Sequence, residues 1–455
     1  MRVGVLKMEY FKIAQSVIEQ ATAESAEAEA YIAIGSQTNI QVQRGEVEKL
    51  SRAGSKGLGI RVIREGKMGY AYTSDFSANS VQRATTAALT LAEVADADEY
   101  RTLPEPRPIP EADLQIYDPA IATLPTEAKV DFALRMETAA LQADPRVVMT
   151  NRATYLDGIA TVYLVNSKGF SGSYDSTFAG AYLMAMAADE NDRGVAFGLG
   201  VATKWTEISA EKIGQEAGER AAKLLGGQPI PTQEASIVYA PFAAAGLLGA
   251  LSQALTAEAM QRNRSFLQGK MGQDVAADVV TLLDNALLPG GMASRPFDAE
   301  GNPSNATRLI DEGVLQAVLY DAYTANRDGT DSTGNAGRMS HRHAPFLTAS
   351  NFYLQPGQQT PEEVIAGVDK GLYVVNTMNT HSINPVSGDY SVSAQGFWIE
   401  EGQLGQPVNN VTIAIPLDKL LLNVTAVAND LIFLPFGGAI GSPTFRVDGV
   451  TIGGT

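Results

Sequence analysis

The chain has 455 residues, 45% of them hydrophobic, and its 34 Lys plus Arg against 51 Asp plus Glu give a net charge of -17. That length predicts two or three domains, and so acidic a chain repels phosphate backbones and anionic lipid, which sets nucleic acid aside as a direct partner. The absence of cysteine excludes disulfides, thiolate catalysis and Cys-containing metal sites.

From Tyr10 to Glu24 the apolar residues Phe11, Ala14, Val17, Ile18 and Ala21 recur at helical spacing and predict an amphipathic helix. Short strand-like runs follow at 31–35, around Ile40 and Val42, and at 57–75, the last read as a hairpin turning at Glu65-Gly66-Lys67. Val81, Ala84, Ala88 and Leu91 place a second helix over about 80–94. The proline-dense stretch 95–110 reads as an extended connection. Pro125-Thr126-Glu127 opens a helix that Asp144-Pro145 stops. Residues 147–205 are mostly strand, punctuated by turn clusters at Asn166–Gly169 and Asn191–Gly194, and a helix covers 210–225. After the GGQPIP break come a Leu-rich helix at 243–260, then strands whose DAEGN, DEGV, SGD and EEGQ segments read as hairpin turns.

The expected fold class is α+β: N-terminal and middle α/β units, then a C-terminal, mostly antiparallel, barrel-like β domain carrying the Leu-rich helix. The expected divisions are 1–96, a proline-rich linker over 97–124, 125–230 and 231–455. No run approaches the ~18 apolar residues of a membrane span. The N-terminus lacks a secretory h-region and cleavage pattern, so a soluble, cytoplasmic protein is expected.

The segment Tyr239–Val275 resembles the metal-binding helix segment of the TldD/PmbA peptidase family. The resemblance extends from about Tyr31 to the C-terminus. It is carried by the ordered fragments Ser265-Phe266-Leu267, Phe297–Gly301, Gly313-Val314-Leu315, Asp331–Ala336, Gly371–Val374, Val386–Ser391 and Trp398-Ile399-Glu400. In the family's catalytic branch, TldD, the helix bears HExxxH; here Gly249, Ala250 and Ala254 stand where the first histidine, the acid and the second histidine would be. A zinc peptidase needs imidazole ligands and a carboxylate base, which glycine and alanine cannot supply. The family's third ligand, a cysteine, would fall near Leu434–Gly441, where this chain has none. The chain therefore resembles the non-metal-binding branch, PmbA or TldE.

That resemblance implies a subunit of a cytosolic metallopeptidase that proteolyses unfolded or flexible peptides. It implies no cofactor in this chain, with zinc or a similar divalent metal in a TldD-like catalytic partner, and a peptide docked in extended form along a sheet edge. The alternative is a non-enzymatic binding protein of the DNA gyrase modulator type, possibly a homodimer. Within the helix, Leu247, Leu248, Leu251 and Leu255 form an apolar stripe beside the small residues Gly249, Ala250, Ala254 and Ala257. This pattern is read first as structural packing and second as the wall of a substrate channel.

Outside the helix, Ser332, Thr333, Gly334 and Asn335 are candidates to offer hydroxyl and amide donors to a peptide, or to hold a tight turn, and Asp389 is a further substrate-binding candidate. His341 and His343 lie two apart and would share a strand face able to grip a metal, but their polar surroundings favour solvated or hydrogen-bonded histidines. Asp298 and Glu300 suit acid chemistry only if they converge with each other in space, and are read as turn residues. Gly57-Leu58-Gly59 and Gly226-Gly227 match no phosphate loop and are read as turn glycines.

Overall fold

The computed structural model describes residues 2–190, 192–435 and 438–454. A helix at Arg2–Ala23 leads into three strands, β1 (Glu27–Gln43), β2 (Glu46–Arg64) and β3 (Lys67–Thr73), and the helix Ala78–Val94. Beyond the proline-rich stretch and a short helix at Pro119–Thr123 lie the helix Thr126–Gln142, strands β4 (Val147–Asn166), β5 (Ser171–Ala188) and β6 (Arg193–Ala202), and the helix Ala210–Lys223.

These strands do not divide at the proline-rich break. They form one antiparallel sheet in the order β3-β2-β1-β4-β5-β6, with β1 paired to β4 from Glu29↔Asn166 to Val42↔Ala153. The expected first and middle units thus share a single sheet, because the apolar alternations of β1 and β4 bury against the same helices. Ile40, Tyr155 and Leu183 pack with Phe132 and Met136 of one helix and Ala217 of another. At the other end Ile32, Leu58 and Ile60 pack with Val17 and Ala84. The linker itself is extended, as its prolines predict, but it is pressed onto the protein through buried Leu103, Leu114 and Ile116. The β2–β3 hairpin turns at Glu65 and Gly66, both at positive φ (52° and 74°), as expected from the glycine.

In the C-terminal half, the strand Gln233–Tyr239 lies between Lys370–Met378, to which it is parallel, and Phe445–Gly453. Ser391–Glu400 and Gln403–Ala414 continue the sheet beyond Lys370–Met378, and Gln403–Ala414 also pairs with Phe445–Gly453 through Thr412↔Gly453 and Ile413↔Ile452. The ring closes as a five-stranded barrel. A second sheet runs through Ala306–Asp311, Leu282–Asn285, Asn351–Leu354 and Ala439–Ser442. The Leu-rich helix packs against both sheets, with Leu247, Leu248 and Leu251 in the main core. It is two helices rather than one, Pro241–Ala254 and Ala257–Gln261, because Thr256 accepts a hydrogen bond from the Ala259 N–H and caps a new start. The EEGQ and DEGV turns join adjacent strands as expected. DAEGN does not form a solvent-facing hairpin: Asp298 and Glu300 are both buried, and Asp298 accepts from the Glu300, Asn302 and Ala336 N–H groups.

Buried charge joins the two halves. Arg61 on β2 donates to Glu29 on β1 and to Glu300, and Arg338 donates to Glu29 while lying over the Tyr31 ring. Among the described residues no helix is long and apolar enough to cross a membrane.

Candidate functional site

Among the described residues the sheet ends on β6, which pairs with β5 alone. Its sequence, RGVAFGLGVA, alternates small and large residues, and the small ones lie under the helix Ala210–Lys223. A Cβ on Gly194 would stand 2.1 Å from the Ala221 carbonyl, and one on Gly198 2.3 Å from that of Ile213. Only glycine permits so close an approach of helix to strand. Val195, Phe197 and Leu199 are thereby directed away from the helix and into a cleft of about 1270 Å³.

The Phe197 carbonyl receives Arg220 Nη1 at 3.1 Å and so points out of the ladder. Val195 and Leu199 keep the same alternation and turn their backbone groups to the unpaired edge.

The opposite wall is the Pro241–Ala254 helix. Gly246, Gly249, Ala250 and Gln253 follow the i, i+3, i+4, i+7 spacing of one helical face and line the cleft. A Cβ at Gly249 would meet nothing within 4 Å. The leucines are core, and of the small face read from sequence Gly249 and Ala250 stand in the groove wall. Ala254 and Ala257 are fully buried and outside the cleft lining. Residues 346–349 and 376–378, together with His381, complete the enclosure. Thr377 fastens its strand to the helix through the Ala243 carbonyl at 2.9 Å.

Pro435 also borders the cleft, and Ala439–Ser442 lies in a sheet packed on the helix. Gly249 and Ala250 of the helix and Pro435 of the segment 434–441, both regions singled out in sequence, thus border one cavity; Phe436 and Gly437 lie outside the described residues, as does Asn191 of the predicted turn at 191–194.

The other candidates lie elsewhere. Ser332, Thr333, Gly334 and Asn335 build a turn whose polar groups are satisfied internally. The Ser332 and Thr333 hydroxyls donate to the Tyr320 carbonyl, and Asn335 Nδ2 donates to Asp284 at 2.6 Å and to the Thr348 carbonyl. Gly334 needs its φ of 78° for that turn. Burial raises the Asp284 carboxyl above the ordinary carboxylate range, opposed by the donors of Asn335 and Ser350. None of the four residues lines the cleft; Asn335 instead sits behind Thr348, which does. Asp389 is exposed and accepts from Ser387 within its own loop, also off the cleft.

His341 is buried against β2, with Nε2 3.4 Å from Ser74 Oγ, and burial lowers its pKa, helped by Arg342 and His343. Gly57 and Gly59 sit mid-strand rather than in a turn: a Cβ on Gly57 would lie 2.2 Å from the His341 ring, and one on Gly59 2.2 Å from the Tyr70 hydroxyl. His343 pairs with Ser340. Among the described residues no three His, Asp or Glu side chains are grouped to hold a metal. Gly226 takes φ 74° in a turn, as expected.

Profiles for the PmbA/TldA metallopeptidase domain 1, central domain and C-terminal domain match residues 28–92, 119–225 and 232–454. The chain belongs to the PmbA/TldD family. It is 28% identical to the metalloprotease PmbA of Escherichia coli O157:H7, over 91% of this chain and 90% of that protein. Against the PmbA homologue of Haemophilus influenzae it is 27% identical over 94% of each. The fold superimposes on TldE from Thermococcus kodakarensis with a TM-score of 0.90 at 22% identity, covering 97% of this chain and 100% of that one. A Bacteroides thetaiotaomicron structure named for modulation of DNA gyrase matches with a TM-score of 0.86 and 26% identity over 98% of each.

Within this PmbA/TldD fold, the residues missed from sequence are the cleft-facing aromatics Tyr182, Phe197 and Phe346. The signal available was the glycine alternation of β6, which marks a strand with one face under a helix and the other open.

Proposed function

We propose that this chain is the substrate-holding, metal-free subunit of a PmbA/TldD-type peptidase, and that cleavage is performed by a TldD-like partner carrying zinc or a similar divalent metal. The observation that supports this most directly is the cleft itself. Gly249 and Ala250 occupy its wall at the places where the catalytic branch would carry a histidine and an acid, and neither offers a donor to a metal or a base to its water.

The remaining features suit holding rather than cutting. An unfolded peptide laid beside β6 gains main-chain hydrogen bonds as an added strand, and its side chains enter a wall of apolar and small residues. The small helix face leaves room for the guest backbone. The net charge of -17 and the absence of cysteine suit a cytoplasmic peptide-handling role better than a nucleic-acid one. No feature of the cleft separately favours a homodimeric, non-enzymatic modulator.

The test is cleavage of an unstructured peptide by this chain, by a TldD-like partner, and by the mixture, each with and without a chelator. Activity in the mixture that disappears on chelation is expected. Chelator-sensitive cleavage by this chain alone would refute the proposal, and so would full activity of the partner without it.

A further inference from the structure

The cleft is uncharged. None of the described residues lining it is Asp, Glu, Lys or Arg, although 19% of the chain is charged. Arg220 lines a small adjoining recess and is committed to the Phe197 carbonyl. Large apolar side chains stand partly open around the cavity, with Phe197 44%, Phe346 43%, Met378 41% and Tyr182 37% exposed. A grouped apolar surface of this kind marks a binding face. Apart from the imidazole of His381, the polar side chains that reach it, among them Gln253, Asn376, Thr377 and Gln395, are neutral. They can serve a peptide backbone but cannot neutralise a charge.

We propose that the cleft selects extended peptide segments by charge and by the parity of that charge. The proposal rests on the peptide-holding reading above. A strand lying along β6 directs successive side chains to opposite faces. Residues of one parity enter the apolar cavity, where an unpaired charge loses its hydration without compensation; residues of the other parity fall outside the cavity, on the side of the sheet that carries the charged helix Ala210–Lys223. A segment with charges at alternate positions is accepted, because it can seat its uncharged face inward. A segment with charges on both parities has no uncharged face to offer.

The experiment uses the full chain and three fluorescein-labelled ten-residue peptides, matched to the ten residues of β6. One is uncharged, one carries alternating Lys and Glu on a single parity, and one carries the same net-neutral charges on both parities. Fluorescence anisotropy at 0.15 M salt is expected to give the first two affinities within about three-fold and the third at least ten-fold weaker. Gly249→Phe, whose Cβ enters open space, and Phe197→Ser, at an exposed position, should each weaken the uncharged peptide at least ten-fold without lowering the thermal melt.

Equal binding of all three peptides would overturn the proposal, as would no binding of the uncharged peptide, rejection of the single-parity peptide, or indifference to both substitutions. The subunit reading is scored apart from this by cleavage in the mixture with a TldD-like partner. Equal cleavage of all three peptides would sink the charge selection and leave the subunit standing. Parity-dependent binding with no cleavage would do the reverse.

Discussion

Arg61 Nη1 lies 2.6 Å from Glu300 Oε1 and Nη2 lies 2.7 Å from Glu29 Oε2, so one buried guanidinium ties the N-terminal sheet to the C-terminal half. The three side chains are almost wholly out of solvent. Removing one member of such a group leaves charge without a counter-ion and costs about 3–5 kcal/mol. Arg61→Ala is therefore expected to lower the urea midpoint markedly and to expose the junction to limited proteolysis. Unfolding followed by tryptophan fluorescence and by protease resistance checks this; a midpoint unchanged from the parent would show that the latch is dispensable.

The same group should impose a pH dependence. Burial is the largest influence on Glu300 and, with Asp298, Asp321 and Glu29 adding to it and Arg61 opposing, pushes its carboxyl up to about 7 from 4.5. The folded state then holds a proton that the unfolded state has released. The corresponding stability is fully present below about pH 4.5 and is lost as pH rises through about 7. Subtracting the pH profile of Glu300→Gln from that of the parent should leave a component that falls with pH across this window. A difference that is flat or rises there would contradict the assignment.

Two glycines on one helix should respond unequally to the same substitution. At Gly249 an added methyl meets open space, so Gly249→Ala should gain about 1 kcal/mol from helix propensity. At Gly246 the new Cβ would stand 2.6 Å from Thr380 Cγ2. Gly246→Ala should therefore gain less, or lose stability, unless the Thr380 loop moves. Denaturant midpoints of the two variants, measured side by side, give the comparison.

Much of the fold could be read along the chain, because the periodicities of helices such as Thr126–Gln142 and Ala210–Lys223 are set by residues close in sequence. Glu65-Gly66 announced its hairpin for the same local reason, and the family resemblance carried the barrel-like C-terminal domain. What could not be read depended on partners far away. Arg61 and Glu300 are 239 positions apart, and nothing near Asp298-Ala299-Glu300-Gly301 distinguishes a buried latch from an exposed turn. His341 likewise gains its place from Gly57, whose missing side chain accommodates the imidazole. The cleft was half legible: the small face of the Leu-rich helix was visible, but its opposing wall is a strand from the other half of the molecule.

Asn335 offers a test of turn-building against direct peptide contact. Its amide donates to buried Asp284 and to the Thr348 carbonyl on the cleft rim. Asn335→Ala should cost about 1–3 kcal/mol, the usual penalty for depriving a buried polar group of a partner. Any effect on peptide affinity should follow from loosening of residues 346–349. Reduced affinity with a fully retained melting temperature would instead place Asn335 against the peptide.

Closure of the C-terminal barrel through Thr412 and Gly453 pairs its two outer strands with each other at that end, and the short strand Val424–Val427 forms the free edge of that sheet. The two walls of the cavity have different origins: β6, the terminal strand flanking it, belongs to one half of the protein, while the helical wall belongs to the other. Under the proposed peptide-holding role, recognition would depend on how the halves are set against each other, so a change at their distant junction would retune the cavity without altering any residue that lines it.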